Sequence, residues 1–107
     1  MSWALPCDSL ALTPAARADA RVAGQAIYED MTTDLRPALP AFAAPMTVVV
    51  PWTAAGFGKE RTLAFYGAQY AGARTVRFVP VADAGHFVML DQSAAFRDAL
   101  DVFLPAP

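Results

Sequence analysis

The hydrophobic and polar positions change rhythm several times along the chain, and each change marks a predicted element. Leu12-Thr13-Pro14 reads as a helix start, with Thr13 as N-cap and Pro14 at the first helical position. The alanine-rich run from Pro14 to about Met31 is then a predicted helix with a thin buried face, because Val22 and Ile27 are its only large aliphatics, and Gly24 weakens it. Residues 33–45 hold three prolines and form a connector, expected to pin Leu35, Leu39 and Phe42 onto the body. Met46-Thr-Val-Val-Val50 is a short apolar run between prolines, the pattern of a strand buried on both faces of a parallel sheet.

After a glycine-containing loop, Lys59 to about Ala71 reads as a helix, with Leu63, Tyr66 and Tyr70 on one face and Gly72 as its stop. Arg74 to Val81 is a second predicted strand. The closing element, Ser93 to Leu104, places Phe96, Ala99, Leu100 and Phe103 at helical spacing, and Pro105 ends it. The order helix, strand, helix, strand, helix predicts an α/β fold built on a βαβ unit. Two parallel strands by themselves leave both edges unpaired.

Composition sharpens that picture. In 107 residues, 56% are hydrophobic and only 17% are charged, and mean hydropathy is +0.33. A short chain exposes proportionally more surface than a long one, so this load suits part of a larger body or an oligomer. The formal net charge of −2 gives no footprint for nucleic acid, and the basic residues form no cluster that would suit a membrane surface. One cysteine, Cys7, excludes an intrachain disulfide and a multi-cysteine zinc site. No metal or cofactor is expected. No apolar run approaches a membrane span, and the N-terminus lacks the layout of a secretory signal, so the expected location is cytoplasmic.

The richest chemistry lies in Val81-Ala-Asp-Ala-Gly-His86-Phe-Val-Met-Leu-Asp91, which contains the sole histidine. Histidine exchanges protons near neutral pH, and a loop leaving a strand is a common place for a general base. Together, Pro45-Met-Thr-Val-Val-Val50, the following helix, Val76 to Phe87, Leu90-Asp91 and the Phe96…Leu100…Phe103-Leu104 stripe resemble the C-terminal third of an α/β-hydrolase. The match spans roughly residues 30–104. Residues 1–44 would then be a lid-like helix and connector, and residues 45–107 a βαβα unit within a single partial domain.

That resemblance implies hydrolysis of an ester or a related small acyl or C–C compound, with His86 as the catalytic base and Gly85 allowing the tight turn that aims it. Phe87, Val88, Met89 and Leu90 would pack behind the ring, and Asp91 would cap the last helix. Two departures stand against autonomous catalysis. A Gly-x-Ser-x-Gly elbow is absent, since Ser2, Ser9 and Ser93 all lack that context. Thr53 also stands where the triad acid is expected; Asp30, Asp34 and Asp83 read as solvated or capping carboxylates. The chain is therefore expected to be inactive alone and to need the missing portion, taking a small apolar substrate when completed. Trp3 and Trp52 would suit such a substrate, although packing is their simpler role.

The alternative is a non-catalytic interaction or scaffold remnant that dimerises or needs a complementing chain. A small flavodoxin-like or thioredoxin-like binding domain is a third reading, in which Gly56-Phe-Gly58 ahead of a helix would cradle a phosphate.

Overall fold

The computed structural model describes residues 17–106. The elements are helix α1 (Ala20–Thr32), a 3-10 turn (Arg36–Ala41), strand β1 (Met46–Trp52), helix α2 (Gly58–Gln69), strand β2 (Val76–Ala82), a short helix α3 (Val88–Asp91) and helix α4 (Ser93–Phe103). The fold is thus mixed α/β, with a two-stranded parallel sheet and helices around it.

The strands pair in register from Met46 opposite Val76 to Trp52 opposite Ala82. Side chains alternate between faces, so Val48, Val50 and Trp52 share one face with Phe78. Tyr70, just past α2, meets the Phe78 ring edge-on at 6.0 Å, which places α2 on that face. On the opposite face Val49 and Val81 pack with Ala84, Val88, Ala95 and Phe96, so α3 and α4 cover it.

Both strands run further toward their C-termini than the apolar pattern indicates, and each takes in a proline. The Met46 N–H donates to the Thr75 carbonyl at 3.0 Å, which sets the phase of the ladder. Even-numbered residues of β1 and odd-numbered residues of β2 then bond across the pair. Pro51 and Pro80 fall in the other phase and face the outer edges, where a missing donor breaks no bond within the pair.

Burial is shallower than the sequence predicts. Val50 is fully enclosed, but the other β1 residues are only half-buried, because α2 on one face and α3 with α4 on the other cover the sheet only in part. Of the connector residues expected to pack, Leu39 is half-buried while Leu35 and Phe42 are exposed. The connector is held by polar bonds instead. Arg36 reaches the Gln69 side chain at 3.1 Å, and Arg74 Nε donates to the Pro40 carbonyl at 2.6 Å.

The helix ends also shift. The predicted start at Thr13 and Pro14 lies outside the described residues, as do Trp3 and Cys7. Within the described residues α1 begins after Asp19, whose carboxylate accepts from the Arg21 N–H at 2.9 Å. Helix α2 ends at Gln69, three residues before Gly72; that glycine lies against Pro40 instead of forming a left-handed cap. No helix among the described residues is long and apolar enough to cross a membrane.

Candidate functional site

Parallel strands direct their C-terminal ends to one side, and ligands of open α/β sheets gather there. Here the turn after β1, one side of α2 from Arg61 to Tyr66 and the loop after β2 line a cleft of about 590 Å³ at that side. This volume falls within the usual range of small-molecule sites.

His86 stands in the cleft wall, exposed, with its ring edge-on to Phe87 at 5.1 Å and 82°. No described side chain hydrogen-bonds to the imidazole. Its position is set by the backbone turn that precedes it. The Gly85 N–H donates to Asp91 Oδ2 at 2.7 Å, and Gln92 Nε2 donates to the Asp83 carbonyl at 3.1 Å. Adjacent residues at the α3–α4 junction therefore staple both ends of the Asp83–Gly85 turn.

This corrects the cap expected of Asp91. Gln92 precedes α4 without a side-chain cap, and the Asp91 carboxylate reaches back to the histidine loop. Gly85 is not the residue with left-handed backbone; Asp83 is, at φ 54°. A short polar side chain tolerates that region better than most. The apolar residues after His86 also divide. Val88 is buried, whereas Phe87, Met89 and Leu90 are 38%, 45% and 47% exposed, so only Val88 packs as core.

Thr53 lines the same cleft from the end of β1. Its hydroxyl accepts from the Gly56 N–H at 3.0 Å, and its carbonyl accepts from Gly58 at 3.2 Å. A Cβ at residue 56 would come within 2.8 Å of that hydroxyl, so a larger residue there would displace the Thr53 side chain from its bond. Gly58 takes φ +77° as the chain enters α2. Thr53 thus organises its own turn. The same bonds occupy the N–H groups of Gly56 and Gly58, which are not free to cradle a phosphate.

Of the carboxylates set aside earlier, Asp83 and Asp30 are exposed, and none of the three lines the cleft. Asp34 pairs with Arg36 at 2.7 Å, and the hydrogen bonds from the Arg36 side chain and backbone hold its carboxyl at about 2. Trp52 is half-buried and belongs to the cleft wall.

The sequence reading missed one component of the cleft. Phe57, Arg61 and Phe65 recur every fourth residue and form a stripe along α2, with Thr62 and Tyr66 beside it. The Arg61 guanidinium lies over the Phe57 ring at 5.5 Å, and Phe65 meets Tyr66 edge-on at 5.8 Å. The spacing is present in the sequence, alongside the competing face of Leu63, Tyr66 and Tyr70 on the same helix. Among the described residues no cluster of histidine, cysteine and carboxylates could hold a metal ion. No family model, curated protein or solved structure matches this chain.

Proposed function

We propose that this chain supplies the histidine arm of a serine hydrolase of the α/β-hydrolase kind, acting on an ester or a related small acyl or C–C compound. The observation that supports it most is the placement of His86. The imidazole stands exposed in an apolar cleft at the C-terminal ends of parallel strands, directly after a turn held at both ends by Asp91 and Gln92.

In this reading the serine and the oxyanion donors come from polypeptide outside these residues. His86 takes the proton from the serine hydroxyl as its oxygen attacks the substrate carbonyl. The imidazolium then returns that proton to the leaving group, and water repeats the cycle to release the acid. Thr53 stands where the aspartate would be and its hydroxyl serves the Gly56 turn, so no carboxylate balances the imidazolium from that position. Loss of the acid lowers turnover by about 10⁴ in a serine triad. A slow enzyme is therefore expected even when the site is complete.

The test is co-expression with an α/β-hydrolase fragment that carries the Gly-x-Ser-x-Gly elbow, followed by hydrolysis of a nitrophenyl ester. Activity that appears on pairing and disappears in His86→Ala supports the reading. No gain on pairing, or a gain indifferent to residue 86, rejects it.

A second reading, an interaction module without catalysis, draws on the uncovered apolar surface. Ile27, Tyr28 and Met31 on α1 are 60%, 64% and 79% exposed, which suits a dimer or a complementing chain.

A further inference from the structure

The cleft has a chemical bias that the histidine alone does not explain. Its walls are strongly aromatic, with Trp52, Phe57, Phe65 and Tyr66, yet Arg61 stands among them. Among the described residues, no aspartate, glutamate or lysine lines the cleft. Arg21 and Arg36 each pair with an aspartate two residues earlier, whereas Arg61 has no ion-pair or hydrogen-bond partner among the described residues. Its guanidinium carbon lies over the Phe57 ring, 5.5 Å from the ring centre. A contact of this kind engages no N–H in a hydrogen bond, so the planar fork stays available to match a carboxylate in two parallel hydrogen bonds.

We infer that the cleft selects a compound with an aromatic or other planar apolar body and a carboxylate, and that Arg61 holds the acid. This rests on reading the cleft as the substrate site of the proposed hydrolase. The apolar body lies against Trp52, Phe65 and Tyr66, and the carboxylate meets the guanidinium edge, while His86 lines the same space from the opposite loop. A single guanidinium suits a planar monoanion. A phosphoryl dianion calls for more cationic or backbone donors, and the glycine N–H groups nearby are already given to Thr53.

The experiment titrates phenylpropionate and its neutral isostere phenylpropionamide separately into the full chain, followed by NMR. The acid is expected to bind about tenfold more tightly than the amide, the margin of one charge-assisted hydrogen-bonded contact. Shifts should centre on Phe57, Phe65 and His86. Arg61→Gln is expected to erase the preference and Arg61→Lys to retain part of it, since lysine keeps the charge without the planar fork. Arg61 is exposed, so circular dichroism of both variants should match the unaltered chain. Equal binding of acid and amide, or a preference that survives Arg61→Gln, overturns the inference while leaving the cleft as a ligand site. Binding of neither compound overturns the inference together with the substrate-site reading. The ester assay with His86→Ala tests the catalytic proposal independently.

Discussion

Asp91 holds the histidine loop through one bond, from the Gly85 N–H at 2.7 Å in a half-buried setting. A hydrogen bond to a charged partner contributes more than a neutral one, and its loss strands the donor. Asp91→Ala is expected to lower unfolding free energy by about 2 kcal/mol, and Asp91→Asn by about 1, because the amide oxygen still accepts. Urea titration measures both, and faster amide exchange at Gly85 would locate the effect. Asp34 acts by charge at the surface. Its carboxyl is held at about 2, against an ordinary 3.8, by the Arg36 hydrogen bonds. A folded-state value below the unfolded one adds stability above the unfolded value and loses it as pH falls through the folded value. The Asp34–Arg36 contact should therefore loosen between about pH 4 and 2. An NMR titration of the Asp34 carboxyl checks this, and the matching change at Arg36 should vanish in Asp34→Asn.

Among the elements, the sheet with its facing helices carries the packing, and α1 contributes little. Val50 is fully enclosed, and truncation there removes two buried carbons and leaves a void. Val50→Ala is expected to cost about 2 kcal/mol. Ile27, 60% exposed on α1, has no comparable environment. Ile27→Ala should stay within about 0.5 kcal/mol of the unaltered chain, aided by the better helix propensity of alanine. Parallel denaturant titrations decide, and a large cost at Ile27 would show that α1 is packed. The prolines belong to this scale as well. Pro51 and Pro80 face the outer edges near the cleft, so each edge lacks one donor for a further strand there.

For the whole molecule the decisive quantity is apolar surface without cover. The α1 residues Ile27, Tyr28 and Met31 and the α4 residues Val102 and Phe103 are all more than half exposed. Surface of this kind drives association. Sedimentation velocity is expected to show a coefficient that rises with concentration, and Ile27→Glu with Met31→Lys should reduce that rise. A concentration-independent monomer in the unaltered chain would contradict the interaction reading. The excess hydrophobic content was visible in composition; which residues carry it was not. Periodicity ranks residues by face, whereas coverage depends on what else packs there.

The sequence by itself determined the order of the longer helices and the strands, because a period of two or of three to four apolar positions is a local property of the backbone; it did not show the short helix α3 or the 3-10 turn. It also determined that the histidine follows a strand, and that Thr53 and not aspartate comes directly after β1. The tertiary structure decided the rest. It joined Asp91 to Gly85 and Gln92 to Asp83 across a turn with left-handed backbone at Asp83, and it left Leu35 and Phe42 in solvent. It also turned the Phe57–Arg61–Phe65 stripe toward His86. Those outcomes depend on how separate elements meet in space, which chain-local spacing does not encode.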